Sequence, residues 1–140
     1  MKIILDTNVL FSAVYRIGSV PYKVFLHAMT PPNKCLICIE SINELRENFT
    51  EKIPKRASDV EVFIDYLEAN IDIIPVPNKI HPDEAKITDT DDSLIFRAAV
   101  AAGADMIISN DRHLLNSGIK NPIIISIDKF YDNYVIIADK

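Results

Sequence analysis

"DDSLIFRAAVAAGADMIISND", residues 91–111, holds a helix, a stop, a strand and an acid in one uninterrupted run. Segment 91–102 is apolar nearly all round apart from Arg97, and several alanines allow close approach to a neighbouring layer, so it reads as a central, buried helix. Gly103 is placed to end it, because glycine takes the left-handed cap conformation without steric cost. The strand 105–109 follows directly and shows no polar alternation, which implies that both faces of its sheet are covered. A buried helix feeding a buried strand is the repeating step of an α/β fold.

The rest of the chain repeats that step. Apolar, β-rich runs at 2–5 (KIIL), 35–39 (CLICI), 71–76 (IDIIPV), 105–109 (DMIIS) and 122–126 (PIIIS) predict about five strands. Segments 7–15, 19–29, 41–52, 58–70 and 91–102 predict helices; in 58–70, for example, Val60, Phe63, Ile64 and Leu67 fall at helical spacing. The expected fold is therefore α/β, a three-layer α/β/α arrangement with a mostly parallel central sheet. Pro31, Pro32, Pro54, Pro75, Pro77, Pro82 and Pro122 fall between elements or at their edges, where a missing N–H is tolerated. With 140 residues and neither a repeat nor a linker, a single domain over 1–140 is expected.

Composition excludes several classes. Twenty acidic against fifteen basic residues give a net charge of −5, so nucleic acid cannot be held by a bulk positive field and any contact must be local. No apolar run approaches bilayer length and no signal segment precedes Asp6, so a soluble, cytoplasmic protein is expected, with no membrane partner. Cys35 and Cys38 have the spacing of a redox or zinc motif, but in a strand positions i and i+3 face opposite ways. They read as packing thiols.

The acids fall where a parallel sheet places function, beyond the carboxyl ends of its strands. Asp6 ends the first strand, Glu44 is expected in the first turn of the helix after the second, Asp91 and Asp92 open the central helix, and Asp111 follows the fourth strand. Each has an ordinary alternative. Ser41 to Glu44 fits a capping box, while Asp91, Asp92 and Asp111 fit helix caps or partners of the helix dipole. Asp6 is harder to explain that way, since a carboxylate ending a buried strand is costly to desolvate unless paired. Carboxylates converging on one edge repel unless a cation lies between them. Oxygen ligands without a His/Cys cluster suit Mg²⁺ or Mn²⁺ rather than zinc. His27, His81 and His113 are scattered and have no ligand spacing.

"IILDTNVL" (3–10), "SINEL" (41–45) and "TDDSLIFRAAVAAGADMIISNDRHLL" (90–115) together resemble the PIN domain, of the kind found in VapC-related toxin–antitoxin ribonucleases. The resemblance spans nearly the whole chain through the order and spacing of its blocks. It implies that Asp6, Glu44, Asp92 and Asp111 bind one or two Mg²⁺ or Mn²⁺ ions and are the catalytic acids, and that Asn8 and Ser109 help to order them. Between the two acids at the helix start, spacing to Leu94-Ile95 and Ala98-Ala99 favours Asp92, leaving Asp91 as an auxiliary group. The expected activity is hydrolysis of RNA phosphodiesters by metal-activated water, with no protein nucleophile. A small antitoxin protein and a homodimer are the partners implied.

Phosphate contacts are expected from Lys52, Lys55 and Arg56, which cluster around Pro54, and from Arg16 and Arg112 beside site elements. A haloacid-dehalogenase-like phosphotransferase would need a second Asp where Asn8 stands, and an EF-hand starting at Asp89 would need Gly where Leu94 stands. The alternative of a different class is a non-catalytic PIN-like module that binds RNA or protein; intact acids argue against it.

Overall fold

Ile3, Ile4 and Leu5 are fully buried because the strand that carries them lies in the middle of the sheet. The structure, a computed structural model, describes residues 1–138; the last two residues of the expected 1–140 domain lie outside them. In chain order the elements are β1 (Lys2–Leu5), α1 (Thr7–Tyr15), α2 (Val20–Met29), β2 (Lys34–Cys38), α3 (Ile39–Lys52), α4 (Ala57–Asn70), β3 (Asp72–Ile74), α5 (Thr90–Ala101), β4 (Met106–Ile108), α6 (Arg112–Leu115), β5 (Ile123–Ile125) and α7 (Ile127–Phe130). Helical turns continue from α7 through Tyr131–Val135 to Ile136–Ala138. The five strands are ordered β3-β2-β1-β4-β5, and every pairing is parallel.

Alternate strand residues feed two cores. Ile3, Leu5, Cys35, Ile37, Met106 and Ile108 pack with Leu10, Phe25, Phe49, Ile64 and Phe130 from the helices of one layer. Ile4, Leu36, Cys38 and Ile107 face the other way, onto Ile95, Phe96, Ala98 and Ala99 of α5 and onto Leu114 and Ile119. This is the expected three-layer fold, with α5 as its central helix. Gly103, at φ +69°, follows the last turn of α5 as expected. The outer side of α5 is clamped to the preceding segment: Arg97 makes paired bonds of 3.0 and 2.9 Å to the Glu84 carboxylate and donates at 3.0 Å to the Pro77 carbonyl.

Most boundaries shift by a residue or two from expectation, and those that bear on the site have a local reason. The expected strand over 71–76 pairs only from Asp72 to Ile74; Ile71 still closes α4 and Pro75 has no N–H for the ladder. Ile39, expected to finish β2, is the first residue of α3. That shift removes the expected capping box, because Ser41 now lies buried inside the helix and Cys38 occupies the cap with no side-chain bond. Neither Asp91 nor Asp92 caps α5, since Asp89 does so by accepting from the backbone N–H groups of both. Among the described residues, no single helix is long and apolar enough to cross a membrane.

Candidate active site

Strand register brings the first two site residues together. Leu5 pairs with Ile108, so the next residues, Asp6 and Ser109, leave the sheet side by side. β1 is also where strand order reverses, and the crevice beyond such a point is the usual functional site of an open parallel sheet. Asp6 caps α1: its Oδ1 accepts from the Thr7 N–H at 2.7 Å. Its Oδ2 accepts from the Ser109 hydroxyl at 2.6 Å and from the Asn8 amide at 3.2 Å. Asn8 and Ser109 are themselves fixed, because the Asn110 N–H donates to Asn8 Oδ1 at 3.0 Å and the Asp111 N–H to Ser109 Oγ at 3.0 Å. Burial raises the pKa of Asp6 and the charge of Asp111 adds to the rise, against the opposing bonds from Ser109, Thr7 and Asn8.

The other acids meet Asp6 across a cleft of about 250 Å³. Glu44, Asp92 and Asp111 all line it. Glu44 comes from the second turn of α3 rather than the first and accepts the Thr7 hydroxyl at 2.9 Å; burial and the nearby charges of Asp6 and Asp91 raise its pKa. Asp111 caps α6, accepting from the His113 N–H at 2.8 Å, as one ordinary reading of it expected. Asp92 is only 7% exposed, and its Oδ2 is buried with no hydrogen-bond partner. Its pKa is pushed up to about 8, first by burial, then by its side-chain contact with Asp111 and by the charges of Asp6, Asp111 and Asp89.

The remaining expected site residues separate. Asp91, on the exposed side of the same turn, does not line the cleft. Lys52 does, with its ammonium 5.4 Å from the centre of the Phe11 ring. Arg16, Lys55 and Arg112 are exposed and none lines the cleft. Arg56 is drawn into the fold instead: its guanidinium donates to the carbonyls of Tyr15 and Val14 at 2.6 and 2.8 Å and to Asp59 at 3.0 Å. Those carbonyls end α1, so Arg56 caps a helix in place of the phosphate contact expected of it. Thr7, Phe11, Ser12 and Asn48 line the cleft without having been singled out in the sequence. A signal existed for some of them, because Asn48 and Lys52 follow Glu44 at i+4 and i+8, one face of a helix.

The donor set fits a hard divalent cation. All four acids supply oxygen, one buried oxygen of Asp92 has no donor, and burial with the neighbouring negative charges raises the pKa of Asp92. As they stand, no three of these acids among the described residues enclose an ion; they line an open cleft, and Asp92, one of its lining residues, has its Oδ2 buried without a donor. The histidines are engaged elsewhere: His27 packs edge-on to Phe130, His81 accepts from the Asp83 N–H, and His113 pairs with the Thr88 hydroxyl at 2.6 Å. Cys35 and Cys38 are free, buried and on opposite sheet faces.

Comparison with known proteins supports the fold. None of the curated proteins matches the chain by sequence. Two of the solved structures that share its fold are Vap proteins. One is VapBC2 from Rickettsia felis bound to a DNA fragment from its promoter, at TM-score 0.68 and 19% identity over 90% of this chain and 98% of that one. The other is VapC20 of Mycobacterium tuberculosis, a toxin that cleaves the sarcin–ricin loop, at TM-score 0.57 and 16% identity over 84% of this chain and 95% of that one. A family model described as the PIN domain matches residues 2–113, from the first residue of β1 to the acid-bearing turn after β4, and the chain belongs to the PIN domain family.

Proposed function

We propose that this protein is a divalent-metal-dependent endoribonuclease, with Asp6, Glu44, Asp92 and Asp111 as its catalytic and metal-holding acids. The observation that carries this reading is the buried, unpartnered Oδ2 of Asp92 in a cleft whose other carboxylates would otherwise only repel it. Bound Mg²⁺ or Mn²⁺ supplies Lewis-acid chemistry, namely activation of water and stabilisation of charge growing on a phosphodiester. The chain's own residues do the rest. The backbone of Thr7, with Asn8 and Ser109, fixes Asp6 to within a narrow set of orientations, which is the positioning that in-line attack requires. The Thr7 hydroxyl holds Glu44 toward the same cleft. Asp92 and Asp111 line the same cleft, and the proton that burial and neighbouring charges keep on Asp92 would leave it when a cation binds.

The cleavage of a structured RNA loop by a toxin of similar fold supports placing this protein among toxins that cleave RNA. It then acts in the cytoplasm as a single nuclease unit, is held in check by a small antitoxin protein and forms a homodimer. Arg16, Lys55 and Arg112, exposed on the surface, meet the outer phosphates of the RNA. The test is incubation of purified protein with structured and unstructured RNAs in Mn²⁺, in Mg²⁺ and in EDTA. Cleavage should occur with at least one metal and stop in EDTA. Undiminished cleavage in EDTA, or RNA that is bound but left intact in both metals, sinks the nuclease reading; the second outcome returns the protein to the binding-module alternative.

A further inference from the structure

We infer that the groove between α1 and α3, beyond the acids, is a subsite for the unpaired nucleotide next to the scissile phosphate, with Phe11 stacking its base and Lys52 holding its phosphate. The inference rests on the ribonuclease reading of the acids. Its own basis is the way the cleft changes character along its length. The Thr7–Glu44 bond sets the two helices in register at the acidic end. From there Glu44, Asn48 and Lys52 lie on one face of α3, about 6 and 12 Å further along its axis. The same face passes from a carboxylate through an amide to an ammonium. A polyanion meeting the acids at one end therefore finds a cation two turns away, beyond the reach of the reacting phosphate but suited to a neighbouring one.

Opposite this stripe α1 presents Phe11 and Ser12, both lining the cleft. Phe11 is tilted against Phe49 of the core on one side, with ring centres 4.5 Å apart. Over the ring also lies the Lys52 ammonium, 5.4 Å from its centre. Lys52 is an exposed side chain, and the place it takes over the ring faces the cleft that both residues line; the Tyr15 ring lies nearly parallel on the same helix, 6.2 Å from the Phe11 centre. A base can take that place when the ammonium moves onto the adjoining phosphate, since aromatic faces stack bases of any sequence and a nearby cation adds to the attraction. Only an unpaired base can present its face, so the subsite selects single-stranded or looped RNA over a duplex. Asn48, next to both, offers an amide to the base edge.

The test is equilibrium binding of 5′-labelled oligoadenylate, alone or annealed to oligouridylate, in a parent carrying Asp6→Asn so that RNA stays intact. Lys52→Gln should weaken single-strand binding and flatten its dependence on log[salt] by about 0.7, one phosphate contact. Phe11→Leu should weaken it about fivefold or more, and Phe11→Tyr should restore it. The duplex should respond to neither ring substitution. Circular dichroism melts establish that each variant is folded. A folded Lys52→Gln protein with unchanged affinity and salt slope overturns the subsite, as does a parent that binds no oligoadenylate, or equal losses on strand and duplex. Cleavage by wild type in Mn²⁺ is scored separately. Cleavage with binding indifferent to both residues removes the subsite alone, while binding through Phe11 and Lys52 without cleavage removes the nuclease reading alone.

Discussion

Asp92 and Glu84 are about equally buried, at 7% and 8% exposure, one in the first turn of α5 and the other bonded to its Arg97, yet the fold provides for them in opposite ways. Glu84 receives the paired Arg97 guanidinium and the His81 backbone N–H, and the bonds from Arg97 hold its carboxyl below the usual range. Asp92 receives a helix start, three other acids around the cleft and no donor on its Oδ2. A chain able to neutralise one buried carboxylate with arginine has left the other without a cation. A buried carboxyl with no cation beside it avoids the cost of an unpaired charge only by keeping its proton, as Asp92 does up to about pH 8. The contrast marks Glu84 as part of the scaffold and Asp92 as part of a site completed by something positive.

The largest expected effect comes from the acid whose surroundings are most fully built. Asp6→Asn keeps the size of the side chain and can keep the bond from Thr7, so the fold should survive. Cleavage should fall on the order of 10²-fold or more, the scale of several kcal/mol of lost transition-state stabilisation. The measurement is RNA cleavage in Mn²⁺ beside a circular dichroism spectrum. A folded Asp6→Asn protein with wild-type activity would remove Asp6 from the chemistry and reduce it to a helix cap.

The next effect is smaller and opposite in sign at the two carboxylates. Asp92 holds its proton in the folded chain up to about pH 8, against 3.8 as a free side chain. Between those limits folding takes up a proton, so the stability of the metal-free protein falls as pH rises through them. Glu84, depressed below 4.5, behaves in reverse: its contribution is present above that value and is lost as pH falls through the folded value. In EDTA near pH 8.5, Asp92→Asn should therefore melt about 3–5 °C above wild type, and Glu84→Gln should melt below it. With Mn²⁺ the order at Asp92 changes. A cation that binds only the folded state adds about 2.7 kcal/mol at a hundredfold excess over Kd; wild type and Glu84→Gln should gain it and Asp92→Asn far less. Asp91→Asn, altering an exposed side chain, should respond to Mn²⁺ like wild type. If Asp91→Asn loses the response and Asp92→Asn keeps it, the ligand from this helix start is misassigned by one residue.

What the sequence could show of this contrast depended on range. β1, α1 and the helix–glycine–strand run at 91–109 were legible because apolar spacing and one glycine decide them locally. The convergence of Asp6, Glu44, Asp92 and Asp111 was legible as well, since strand ends in a parallel sheet share an edge. Thr7 was not, because its role lies in a bond to Glu44, thirty-seven residues away. Arg56 was misread for the same reason: beside Lys55 it looks like a phosphate contact, and only the docking of α1 turns its guanidinium onto the Val14 and Tyr15 carbonyls. The Ser41–Glu44 pattern is a true capping signature in the wrong place, displaced when Ile39 joined the helix. The helical turns after β5 were passed over although Ser126 caps them, accepting from the Lys129 N–H, and Ile127 and Phe130 stand at helical spacing.

The smallest effect is expected at the two cysteines, and it sharpens the contrast by showing what a buried reactive group without a site looks like. Burial pushes the Cys35 thiol up to about 12 and raises Cys38 as well, so neither is a ready nucleophile or metal ligand at neutral pH. Their side chains serve different cores on opposite faces of the sheet, which prevents a shared disulfide or zinc without breaking β2. Cys38 does border the site element, as the cap of α3, but Glu44 is held by Thr7 and not by the thiol. Replacing each by alanine should cost about 1–3 kcal/mol through lost packing, lower the melting temperature, and leave both RNA cleavage and the Mn²⁺ response at their wild-type values. Zinc bound through these thiols, or a folded double variant without activity, would place a second functional centre on β2. Otherwise a raised pKa from burial alone separates from one raised by burial among like charges: only the second, at Asp92, shifts when a cation is added.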